Sequence, residues 1–255
     1  MTSSRGPMGT KHDHITDSLT REILSGRYQA GDRLPSERDL ADRFDTNRGA
    51  VREAMKCLAQ MGLASIQPGG ARVAPLQEAS LDVIGHMLKQ SDLPDPQLVD
   101  QILKVVNSLV TMAVEDIVDE GSDADIETLR AQIAPLHSTN LSHEEHNEAR
   151  ANMIRAFMIT SGNLVCQLIA RTLFEQFAPN MAPLKAYVQI DHPAYSTYAL
   201  QLDRALLERD RAAVRTIFNA FADLNRQTFI RAFDAIRADL LEAEANHLKT
   251  KVAIS

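Results

Sequence analysis

The stretch LPSERDLADRFDTNRGAVREAMKCLAQMG, Leu34 to Gly62, contains two helix starts, a turn between them and an uneven scatter of arginine. Ser36 followed by Asp39 is a capping-box-like start, in which a side-chain oxygen accepts an orphan N–H of the first turn. Leu40, Ala41 and Phe44 then recur at helical spacing. Asp45, Thr46 and Asn47 are turn formers, and Thr46 or Asn47 can cap a further helix that runs to Met61. Val51, Met55, Leu58 and Ala59 form the apolar stripe of that helix. Gly62 suits the left-handed position just past its end.

Working outward, Ile15, Leu19, Ile23 and Leu24 predict an earlier helix over His14–Leu24, stopped by Gly26. YQAGDRLPSERD, Tyr28 to Asp39, supplies the turn residues Gly31, Asp32 and Pro35. On the other side, LASIQPGGARVAPL (Leu63 to Leu76) reads as two short strands around a Pro-Gly-Gly turn. Three helices followed by a two-stranded hairpin is the order of a winged helix-turn-helix, here spanning 10–75. A three-helix bundle with an incidental hairpin satisfies the same pattern.

After a linker, Pro75 to Ser80, the chain is helical almost throughout, and a second domain is expected over 80–245. Helices are predicted near Leu81–Gln90, Gln97–Asp119, Asp123–His137, Glu144–Thr160, Leu164–Pro179, Pro193–Glu208 and Arg211–Leu241. Each must bury its apolar face against the others, and an antiparallel bundle is the simplest solution. The expected fold class is mainly α, an N-terminal winged helix-turn-helix with a small β-wing plus a C-terminal all-α antiparallel helical bundle.

Composition agrees with a globular chain: 44% apolar and 24% charged residues over 255 positions, with no Trp. No apolar run is long enough to span a bilayer, and MTSSRGPMGTKHDH lacks the apolar core of a secretory signal, so no membrane partner and a cytoplasmic location are expected. Cys57 and Cys166 lie far apart inside helical patterns and read as buried thiols. The net charge of −7 is unevenly placed, with 11 Lys and Arg against 9 Asp and Glu up to Pro75 and 16 against 25 beyond it. A slightly basic head on an acidic body fits DNA binding confined to one end.

In a DNA-reading helix pair the second helix enters the major groove and its first residues reach base edges. That segment here is Asn47, Arg48, Gly49, Ala50, Val51 and Arg52. Arg48 and Arg52, four apart, share one face. Gly49 and Ala50 are small enough for close approach, and the helix N-terminus offers N–H groups to phosphate. Arg38 can reach the backbone or the groove edge, while Gly69 at the wing tip, with Arg72 behind it, can follow the minor groove. Singly, each arginine also fits a solvated position, and Arg52 fits an ion pair with a neighbouring acid.

Residues Gly31 to Gly70, GDRLPSERDLADRFDTNRGAVREAMKCLAQMGLASIQPGG, closely resemble the winged-helix domain of the GntR family of bacterial transcription regulators. The resemblance rests on the LPSER element, the turn before Arg48, VREAM and the Gly-rich wing. It implies that Arg38, Arg48 and Arg52 contact an operator in double-stranded DNA, with Gly69 at the wing tip, and that the protein is a homodimer. Asn47 stands where the family usually has a hydroxyl residue, and Gly49 and Ala50 replace bulkier ones.

The largest group in that family holds a metal through an Asp and three His in its helical domain. In EARANMIRAFMITSGN, Glu148 to Asn163, the positions for Asp and His hold Arg150 and Ile154, and Val106 stands where an effector-binding Arg belongs. No metal or other cofactor is therefore expected. His137, His143, His146 and His192 fall in polar loops or helix starts and read as solvated. LDVIGHMLKQSDLPDPQLVDQIL (Leu81 to Leu103), the SGN segment and the long last helix resemble the FadR branch, the fatty-acid-metabolism regulators. That resemblance implies a repressor whose operator affinity falls when a long-chain fatty acyl-CoA binds. The implied effector positions are Val106, Phe221, Ala222, Asn225 and Phe229, without the Tyr, Ser, Trp and Arg of the template. An unrelated small-molecule effector, or none, is the alternative. No nucleophile–base pair, phosphate-cradling loop or metal set points to an enzyme.

Overall fold

The computed structural model describes residues 10–253, with side chains through residue 243. The expected end of the second domain at 245 lies just past those side chains, and the first nine residues lie outside the description.

The described residues divide into two compact units, with the boundary between Pro94 and Asp95. The first contains α1 (Lys11–Leu24), α2 (Glu37–Arg43), α3 (Arg48–Gln60), β1 (Ala64–Gln67), β2 (Gly70–Val73) and α4 (Val83–Leu88). Its helix starts follow the side chains expected to cap them: Ser36 accepts from the Asp39 N–H, and Asn47, rather than Thr46, accepts from the Ala50 N–H at 2.9 Å. The apolar faces close on a single core, with Ile15, Leu19, Leu40, Val51 and Leu58 at 0–1% exposure. Burying five such side chains contributes on the order of 1.5–3 kcal/mol each before chain entropy opposes it. Arg43 bonds the Glu22 carboxylate and stacks over Phe44, tying α2 to α1.

β1 and β2 pair antiparallel with Gln67 opposite Gly70, so Pro68 and Gly69 make a two-residue turn. Gly69 has φ +102°, which suits the second central position of a type II turn after proline. The stretch read as a turn at Gly31–Leu34 also pairs with the hairpin: the Leu34 N–H donates to the Ala71 carbonyl and the Val73 N–H to Asp32, each at 2.9 Å. The helix expected over 81–90 at the start of the second region is α4, which packs on α1 and places Val83 in the core of the first unit.

The second unit comprises α5 (Pro96–Glu120), α6 (Asp123–Ile133), α7 (His143–Thr160), α8 (Leu164–Phe177), α9 (His192–Leu207) and α10 (Arg211–Ala253), with 3-10 turns at Ala134–His137 and Ala178–Leu184. α10 lies along α5 and α9. Glu115 on α5 is 4% exposed and receives guanidinium N–H groups from Arg211 and Arg215 of α10. The Arg215 hydrogen bonds, followed by those of Arg211, hold its carboxyl below the usual range against the cost of burial.

Gly62 ends α3 at φ +71°, and a Cβ there would sit 2.4 Å from the Glu78 carbonyl oxygen. Both the left-handed backbone and the close approach demand glycine. Gly62→Ala is expected to destabilise the first unit by about 1–3 kcal/mol or more, read as an earlier urea transition by circular dichroism.

Candidate functional site

α3 is held from one side and free on the other. Val51, Met55 and Leu58 are buried at 0%, 6% and 0% exposure, joined by Ala54, while Ala59 is only half-buried. Arg48 and Arg52 are exposed on the flank of that buried stripe. The first turn of α3 carries no acidic residue, whereas that of α2 has Glu37 and Asp39. Its N–H groups and partial positive charge therefore remain available to phosphate.

The arginines differ in what they touch. Arg52 forms a fork–fork pair with Glu37 of α2, with nitrogen–oxygen distances of 3.1 and 2.9 Å. Hydrogen bonding to Arg52, and then the charges of Arg52 and Arg48, hold the Glu37 carboxyl below its usual range. The pair is exposed, so a phosphate can compete for the guanidinium. Arg38, 71% exposed, makes only a loose 3.8 Å contact with its neighbour Asp39. Arg48 has no acidic partner within 4 Å among the described residues. Gly49 is small for a local reason: a Cβ there would come within 3.0 Å of the capping Asn47 oxygen. Asn47 is thus a cap first, and Ala50, half-buried behind it, receives that cap.

At the wing, Arg72 donates to the Gly31 carbonyl at 2.8 Å, so its guanidinium braces the hairpin against the preceding loop. Arg33, which sequence reasoning missed, donates to the Gly69 carbonyl at the wing tip. A Cβ on Gly70 would meet the Arg33 side chain at 3.2 Å. Only the pairing of residues 31–34 with β2 brings Arg33 there, and nothing local in the sequence signals it.

Residues 11–73 match the family described as "Bacterial regulatory proteins, gntR family". The first unit thus carries a winged helix-turn-helix similar to that of the GntR family. The chain is 27% identical over 172 residues to the "Fatty acid metabolism regulator protein" of Proteus mirabilis (strain HI4320), covering 67% of this chain and 69% of that relative. It is 26% identical over 164 residues to the "Galactonate operon transcriptional repressor" of Escherichia coli (strain K12), covering 63% and 71%. A solved structure described as "Lar controls the expression of the Listeria monocytogenes agr system and mediates virulence" shares the fold, with a TM-score of 0.55 and 17% identity over 90% of this chain and 99% of that one. No helix among the described residues is long and apolar enough to cross a membrane.

The helical unit does not gather the expected effector positions around one cavity among the described residues. Phe221 is 3% exposed and packs on Tyr195 with ring centroids 4.6 Å apart. Asn225 accepts a 2.6 Å hydrogen bond from Arg150, and Val106 is buried in α5. Ala222 is half-buried. Phe229 faces Phe177 and lines a separate groove with Val99, Leu103 and Phe233, about 100 Å³ in volume. Drug-sized ligands occupy roughly 300–1,000 Å³, so this groove is small for a long acyl chain.

The histidines correct the sequence reading. His146 is 1% exposed, not solvated, and its ring lies 4.7 Å from that of His192 and 4.6 Å from that of Tyr195. His143 joins the group at 5.6 Å from His192. The reason is the Ser142 capping box, which starts α7 at His143 and so turns His146 onto the face that carries Met153 and Phe157 inward. The four histidines do not form a metal-holding cluster among the described residues.

Burial, then the charge of Arg150 and the neighbouring His192 and His143, push the His146 pKa down to about 3. The folded state keeps this ring neutral, whereas the unfolded chain protonates it below about 6.5. Stability is therefore expected to fall as the pH drops from about 6.5 towards 3. Melting temperature followed across that window should show a shallower acid slope in His146→Gln.

Proposed function

We propose that this regulator binds a palindromic operator as a homodimer and that a small molecule in its helical unit modulates operator affinity. The observation that carries this reading is Arg48: it is exposed at the first position of a helix whose neighbouring apolar stripe is locked in the core, and among the described residues no acid lies within salt-bridge distance of it. Arg38, Arg52 and the α3 N-terminus lie in the same first turns and supply phosphate or base contacts, with Asn47, Gly49 and Ala50 shaping the approach. Gly69 and Arg72 form the wing that reaches the flanking groove. One such head reads too few base pairs for tight specificity, which favours two heads on half-sites about one helical turn apart. The site of action is the cytoplasm, where the DNA is.

For the effector, the polar reading has more support than the fatty acyl-CoA reading. Arg150, Asn225 and His146 bring hydrogen-bonding groups into the interior, while the groove beside Phe229 is small. The two relatives divide the same way, one named for fatty acid metabolism and one for galactonate. Whatever the effector, it acts only if it binds the DNA-competent and DNA-incompetent arrangements unequally.

Arg48→Ala should weaken binding to operators selected from a random-sequence library by about 1–3 kcal/mol, roughly 5- to 150-fold, in a gel shift. Unchanged affinity would remove Arg48 from the interface. Sedimentation is expected to give a dimer, and inserting about half a helical turn between half-sites should abolish tight binding.

A further inference from the structure

We infer that Arg33, from the loop before α2, is the side chain with which the wing reads a narrow, A·T-rich minor groove. This rests on the operator-binding reading and deepens it by naming the residue and the groove. The hairpin tip is Pro68, Gly69 and Gly70, all exposed, and none of them has a charged or hydrogen-bonding side chain. The cation has to come from elsewhere in the fold. Residues 31–34 run beside β2 as a short third strand: the Leu34 and Val73 N–H groups donate to the Ala71 and Asp32 carbonyls at 2.9 Å. That pairing sets Arg33 directly opposite Arg72, between ladder hydrogen bonds, where facing side chains come closest. Opposite residues of antiparallel strands share a face. Here it is the outer face, because the flanking Leu34, Ala71 and Val73 are buried.

Two like charges opposite each other repel, and the backbone directs them apart. Arg72 donates to the Gly31 carbonyl at the base of the wing, Arg33 to the Gly69 carbonyl at its tip. The Arg33 guanidinium lies against Gly70, whose missing side chain leaves it room: a Cβ there would meet Nε at 3.2 Å and Nη2 at 3.3 Å. A carbonyl fixes a guanidinium without neutralising it. Among the described residues no acid comes within salt-bridge distance of Arg33, so its charge and its remaining N–H donors stand at the wing tip. The brace and the DNA contact therefore use different donors of one side chain. A minor groove is about 6 Å wide, and the slim glycine tip carries nothing bulky to keep the charge out of it. Narrow A·T tracts concentrate negative potential, which draws an inserted arginine.

The test measures binding of the full-length protein to duplexes that share one core, selected from a random-sequence library, and differ in their flanks, A·T or G·C. Affinity is followed across a series of salt concentrations. The wild type is expected to favour A·T flanks by about 5-fold or more. Arg33→Gln keeps a donor for the Gly69 carbonyl but removes the charge. It should lose the flank preference and reduce the slope of log affinity against log salt by about 1 per head. Arg33→Lys returns the charge and should recover the slope. Selection of the core is expected to survive in both variants. If Arg33 only braces the wing, Arg33→Gln matches the wild type in flank preference and slope, and the inference falls. A wild type indifferent to its flanks overturns it as well. Both results leave the Arg48 reading standing, because core and flank are scored separately. Failure of that reading shows instead as core selection that survives Arg48→Ala.

Discussion

The pitch of α3 is the constraint on which the head depends. A helix of 3.6 residues per turn puts residues 51, 55 and 58 on one side and residues 48 and 52 on another. With Val51, Met55 and Leu58 committed to the core, Arg48 and Arg52 lie along the exposed flank of that stripe. The cap at Asn47 fixes where the helix begins, and Gly62 fixes where it ends against the Glu78 carbonyl. Shifting the start by one residue would rotate every side chain by about 100° and take Arg48 off the exposed face.

Around that helix the head uses its other charges as braces. Arg43 holds Glu22, Arg33 holds the wing-tip carbonyl, and Arg72 holds Gly31. Each carries a formal charge that a count over the sequence credits to the DNA surface, yet each is tied first to the protein itself. Arg52 is intermediate, paired with Glu37 at the surface and able to exchange that partner for phosphate. Arg48 alone of the α3 pair has no acid to leave. The +2 excess of the head therefore understates the contrast between working and structural arginines, because the distinction lies in partners.

The helical unit shows the opposite economy. Its charged clamps, Glu115 with Arg211 and Arg215, and Arg130 with Asp203, are paired across helices. Against that background Arg150 and the His146 ring stand out, since their polar atoms face inward with little to satisfy them. Burial and the guanidinium beside it both disfavour a positive charge on the His146 ring.

Most of the architecture was legible in the residues themselves. Caps, glycines and apolar periodicity are local properties, so the presence and order of α2, α3, the wing strands and the bundle helices could be read before any packing was known, and so could the exposure of Arg48. Long-range pairing has no such local signature. Arg33 reaching Gly69, α4 folding back on α1, and the separation of Phe221 from Phe229 depend on which elements meet in space. The same holds for His146: a histidine in a polar stretch looks solvated until a capping box sets the helical phase and α9 brings Tyr195 against it. Sequence determined the elements and the exposed arginine flank of α3, because both follow from spacing along the chain. Tertiary structure decided which charges are paired within the fold and which are not, because that depends on partners tens of residues away.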